Sequence, residues 1–120
     1  MGNMVKVDIS EESFNKLNSI YIEAENFIKN FKREDYIEKV VVSTWWGLSS
    51  KEVSKFNRKK LKSVLPAYVK CVSYDFEDRL SVWVELTKRG EAIGNIIQLY
   101  LAGDEIYLDN YHATVFNDVL

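Results

Sequence analysis

Of the residues that carry most metal and redox chemistry, this chain of 120 residues has almost none: one cysteine, Cys71, and one histidine, His112. A single cysteine forbids an internal disulfide, and a single histidine excludes every two-histidine zinc motif, so neither a metal nor any other cofactor is expected. Long apolar runs are missing too. The longest stretch without a charge, residues 92–103, has 12 residues, short of the roughly 18 that a membrane span takes. The opening residues lack the apolar run of a secretory signal, and Lys6 stands where a myristoylation signal carries Ser or Thr. A cytoplasmic protein with no membrane contact is expected. Phosphate-cradling glycine loops and nucleophile elbows are also absent, and no residue pattern names a reaction.

What is present is a core-forming composition, 47% hydrophobic and 28% charged, which fits one ordered domain over residues 1–120. Its first half has helical spacing. Ser10 precedes Glu11 and Glu12 as an N-cap precedes a favourably charged first turn, and Phe14, Leu17, Ile20, Tyr21, Ala24, Phe27, Ile28 and Phe31 follow at helical intervals. Asp35 with Glu38 resembles a capping box for a second, short helix carrying Ile37, Val40, Val41, Trp45 and Leu48, although Val40-Val41-Val42 also suits a strand. After a break at Gly47, Ser49 with Glu52 makes a further capping box, and Val53, Phe56, Leu61 and Val64 carry a third helix up to Pro66.

From Tyr68 the period changes to two. Leu80 to Leu86 alternates strictly, and Glu77-Asp78, Lys88-Arg89-Gly90-Glu91 and Ala102-Gly103-Asp104-Glu105 read as hairpin turns. Strands near residues 68–76, 79–87, 92–101 and 105–115 then form one meander, with Gly94 marking a bulge. The expected architecture is α+β: three N-terminal helices packed on one face of a four-stranded antiparallel sheet. Phe14, Leu17, Phe27, Phe56, Val82, Val84, Leu99 and Leu101 are its expected core.

That order of elements, carried by residues 24–36, the capped segment 49–61 and the run 81–111, resembles the nuclear transport factor 2-like (cystatin-like) superfamily. The resemblance implies a cone-like α+β fold and, among that superfamily's isomerases, dehydratases, transport adaptors and bacterial immunity proteins, several functions.

His112 follows Asp109-Asn110-Tyr111 and invites a general-base reading. A hydrogen-bonded histidine at the end of the last strand is the plainer expectation, and Cys71 is expected as a small buried apolar residue. Charge is segregated: residues 1–74 carry 13 basic and 9 acidic groups (+4), residues 75–120 carry 3 and 9 (−6). On the third expected helix Lys51, Lys55, Arg58, Lys59 and Lys62 fall within roughly a 100° arc. The alternation also puts Trp83, Glu85, Gln98, Tyr100, Tyr107, Asp109 and Tyr111 on the sheet face turned away from the helices. Aromatics dominate binding energy at interfaces, and carboxylates among them select a cationic partner. The expected function is therefore a small binding protein that neutralises a basic, toxin-like partner such as a nuclease, in the manner of an immunity protein or antitoxin. Homodimerisation through the same face competes with it, the basic helix offers a rival working surface, and nucleic-acid contact is the lesser expectation. The alternative is a small pocket enzyme or ligand-binding module of the nuclear transport factor 2-like fold.

Overall fold

The computed structural model describes residues 3–43, 49–76 and 79–120. Its elements run β1 (Val5–Val7), α1 (Glu11–Lys29), a 3-10 turn (Arg33–Tyr36), β2 (Ile37–Ser43), β3 (Ser50–Phe56), α2 (Arg58–Val64), β4 (Val69–Phe76), β5 (Arg79–Leu86), α3 (Lys88–Ala102), β6 (Ile106–Leu108) and α4 (Asn110–Val119). The strands pair antiparallel in three two-stranded sheets, β1 with β6, β2 with β3 and β4 with β5. The fold is α+β, but three leading helices and a four-stranded meander are not what forms. The expected helical positions Trp45 and Leu48, the break at Gly47 and the turn at Glu77-Asp78 lie outside the described residues.

Where cap and apolar stripe agree, the expectation holds. The Ser10 side chain accepts the Ser13 N–H at 3.1 Å, and α1 runs from there to Lys29. The β4–β5 hairpin also forms, with Val69 opposite Leu86, Cys71 opposite Val84 and Ser73 opposite Val82 on its inner face.

The other segments obey a different period from the one expected. Residues 92–101 are helical because Ala92, Ile93, Ile96 and Ile97 recur at helical intervals and are all buried. Leu99 and Leu101, expected in the core, are 40% and 68% exposed. The tetrapeptide taken for a turn is the first turn of α3: Thr87 caps it, its hydroxyl accepting the Gly90 N–H at 3.1 Å. Gly103, at φ 80°, closes the helix in the left-handed conformation that glycine adopts without strain. The last expected strand likewise divides into the short β6 and α4, with Asp109 capping the helix.

In the first half, three consecutive β-branched valines prevail over the capping signals, and residues 37–43 extend as β2. No helix starts at the Ser49–Glu52 box; β3 begins at Ser50, and α2 starts only after Asn57, whose side chain accepts the Lys60 N–H at 3.0 Å. The five basic residues therefore share no helix face. Lys51 and Lys55 belong to β3, whereas Arg58, Lys59 and Lys62 belong to α2.

Two hydrophobic clusters sit along α1. Leu17 enters the first, with Ile93, Ile96, Leu108, Val115 and Phe116; Ala24 enters the second, with Leu61, Val69, Val82 and Val84. Phe14, Phe27 and Phe56, expected as core, are half-buried at the cluster margins. Gly94 is no bulge: it lies under the Tyr21 ring, which a Cβ would approach to 2.8 Å. The Tyr21 hydroxyl donates to Glu25 one turn on, and this bond, reinforced by burial, pushes its pKa up to about 12.

Gly90 meets a harder obstacle. A Cβ there would stand 2.9 Å from the backbone oxygen of Tyr68, a residue itself at φ 67° whose carbonyl accepts the Thr87 N–H at 2.8 Å. Backbone pinned in this way cannot move aside, whereas the end of the Tyr21 ring can. Gly90→Ala is expected to destabilise the protein by about 1–3 kcal/mol. Gly94→Ala is expected to cost less, because the Tyr21 ring can give way and the helix gain of about 1 kcal/mol for Ala over Gly is then kept. Urea denaturation of the two variants checks the order, and equal losses would contradict it.

Candidate functional site

The seven residues expected on one sheet face occupy four elements. Trp83 and Glu85 project from the outer side of β5, Gln98 and Tyr100 belong to α3, Tyr107 to β6, and Asp109 with Tyr111 to the start of α4. With no four-stranded sheet there is no common pleat to align them. Tyr100 instead stacks on Phe14 with ring centroids 4.3 Å apart, and Tyr107 donates its hydroxyl to Glu105 at 3.1 Å. The Lys88 ammonium lies 4.9 Å from the Tyr111 ring centroid.

The Asp109–His112 pair is a helix cap. One Asp109 oxygen accepts both the backbone N–H and the ring Nδ1–H of His112, each at 2.8 Å. In the neutral ring, Nε2 is then left as an acceptor, and the Asn95 amide nitrogen stands 3.3 Å from it. Both ring nitrogens thus have partners around this cap, Asp109 at Nδ1 and Asn95 at Nε2. Cys71 is half-buried; desolvation raises its thiol pKa, with Arg58 and Lys62 pulling the other way. Among the described residues no three His, Cys, Asp or Glu side chains are grouped to hold a metal ion, and no helix is long and apolar enough to cross a membrane.

What the fold does bring together is a cationic groove. Lys51, Val53, Lys55 and Phe56 of β3, Arg58 of α2, Ser73 and Tyr74 of β4 and Leu80 of β5 line a space of about 630 Å³. Arg58 is held from two sides: its guanidinium lies 5.8 Å from the Phe56 ring centroid and donates to the Ser73 hydroxyl. The acid in this wall, Glu52, is paired with Lys39 at 3.1 Å. Among the described residues neither Lys51 nor Lys55 forms an ion pair.

Tyr74 joins the groove to the outer face of the β4–β5 ribbon, where its ring lies 5.4 Å from that of Trp83 and both are exposed. Beside them Glu85 is neutralised by Lys70 at 3.3 Å and held 3.4 Å from the Trp83 indole nitrogen. Sequence reasoning had the lysines but laid them on a helix; the i, i+2 spacing of Lys51, Val53 and Lys55 is the strand signal that places them. It missed Tyr74, which the β4–β5 register sets diagonally across from Trp83. No family model matches the chain, nor does any curated protein or solved structure, so nothing there bears on the resemblance to the nuclear transport factor 2-like superfamily.

The cap carries a pH signature. The His112 N–H, together with the ring hydrogen bond, holds the Asp109 carboxyl below the usual carboxylate range. Its contribution is therefore present above the unfolded value near 3.9 and lost as pH falls through the lower folded value. Asp109→Asn keeps an equally good cap without the charge. Urea midpoints of the two proteins should converge as pH drops from about 5 towards 2; a gap independent of pH would contradict this assignment.

Proposed function

We propose that this protein is a small binding protein whose working surface is the groove between β3 and the β4–β5 ribbon, and that its partner is single-stranded nucleic acid. The observation that carries this reading is the meeting of Lys51, Lys55 and Arg58 around one groove with Tyr74, whose exposed ring continues onto that of Trp83 outside it. Cations follow a phosphate backbone, and aromatic rings stack on bases that a single strand leaves open and a duplex hides. The expectation of a basic, toxin-like protein partner called for an acidic aromatic sheet face. Glu85, beside Trp83, is already offset by Lys70, and Asp109, the other acid expected on that face, caps α4.

Three groove cations imply a modest, salt-sensitive affinity, with log K falling against log salt at a slope of about −2 for a single strand. Fluorescence anisotropy with a labelled 15-nucleotide oligo-dT should show this slope. Lys51→Glu with Lys55→Glu is expected to weaken binding at least tenfold, and Tyr74→Ala to cost about 1–3 kcal/mol. Failure to bind the oligonucleotide at low salt, or binding indifferent to all three substitutions, would overturn the proposal. If the protein instead captured poly-lysine, and lost it in Glu85→Lys, the basic-partner reading would take its place.

A further inference from the structure

The ribbon of β2 and β3 holds chiefly to itself, and its two edges differ in chemistry. In its register Glu38 faces Lys55, Val40 faces Val53 and Val42 faces Lys51, while Val41 faces Glu52 on the other side. Valines thus stand in water on both faces, Val41 at 69% exposure. A two-stranded ribbon alone is marginal in water, and a sheet of three or more strands with an apolar face is not. An edge strand also offers unpaired backbone N–H and C=O groups, which lysines ordinarily guard against foreign strands.

The β3 edge is guarded in this way by Lys51 and Lys55 and borders the groove. The β2 edge presents three valines in a row, and its two charges are spent within the chain. Lys39 pairs with Glu52 at 3.1 Å, and Glu38 accepts from Asn57 at 2.8 Å.

We propose that β2 is a dimerisation edge, pairing antiparallel with β2 of a second copy to give a four-stranded sheet in the order β3-β2-β2-β3. A two-fold axis normal to the sheet sets equivalent residues opposite one another, which limits the registers. With the axis at Val41, Val41 faces its own copy, Val40 faces Val42 and Lys39 faces Ser43, so apolar meets apolar. An axis at Lys39 would oppose two ammonium groups, and one at Val40 would set Glu38 against Val42. Pairing through β3 would bring the lysines of two copies together. A second copy is thus the strand that β2 fits, and both cationic grooves stay open on the outer edges of the sheet.

Directly opposed residues of an antiparallel pair lie about 4.5–5.5 Å apart at Cα, within disulfide reach. In a Cys71→Ser background, Val41→Cys should give a disulfide-linked dimer under mild oxidation at least tenfold faster than Glu52→Cys on β3. Sedimentation velocity without nucleic acid should show a concentration-dependent dimer for the unsubstituted chain. Val41→Lys, which sets like charges across the axis, should shift it to monomer, and far-UV circular dichroism checks that this exposed position leaves the fold intact. A chain that stays monomeric at millimolar concentration overturns the proposal. So does a dimer that survives Val41→Lys, or equal cross-linking at Val41 and Glu52.

Discussion

The whole arrangement hangs on one amphipathic stripe. Helix α1 has 19 residues, a length of about 28 Å, and its apolar side is too long for any one partner in this chain to cover. Its N-terminal part, at Leu17, is buried by α3, β6 and α4, and its C-terminal part, at Ala24, by α2 and the β4–β5 ribbon. Both clusters are fixed relative to one another because a single stiff rod belongs to each. The second cluster in turn orients β4–β5, and with Arg58 reaching Ser73 it sets one wall of the groove against the other.

How much of this was legible follows from where independent signals agreed. At α1, cap, first-turn acids and stripe all named the same helix; at β4–β5, strict alternation named the hairpin. Along residues 92–101 two periods were superimposed. Ile97, Leu99 and Leu101 read as a strand, while Ala92, Ile93, Ile96 and Ile97 read as a helix, and only burial separates them. The decisive local clue was Thr87 three residues before Gly90, a cap that the turn-like Lys88-Arg89-Gly90-Glu91 concealed. At residues 49–52 the reverse happened: a capping box existed in sequence, but side chains suited to a strand followed it. The candidate site was legible in its parts, Trp83 with Glu85 and the lysines, and illegible as a whole, because whether those lysines lie on a helix or a strand decides which aromatics they meet.

Charge then divides the labour of the two ribbons. The cations of β3 and the start of α2 concentrate on one side of the groove, while carboxylates of the later half are tied up locally, as Glu105 with Lys6, Asp118 with Arg89 and Asp109 with His112. A chain with net charge −2 can therefore present a locally positive surface without a positive field over the whole molecule, so attraction acts mainly at close range.

The smallest ribbon has a consequence for the order of assembly. β1 and β6 meet over three rungs, Val5 with Leu108 to Val7 with Ile106, and the Lys6–Glu105 bridge across it joins residues 99 apart in sequence. Closing a loop of that size costs roughly 4 kcal/mol in chain entropy before any constant term, more than three backbone rungs and an exposed ion pair return. The ribbon cannot nucleate anything. It zips only after α1, α3 and α4 have collapsed around Leu17 and brought its strands within reach, and the same arithmetic makes it the first seam to open when that collapse loosens.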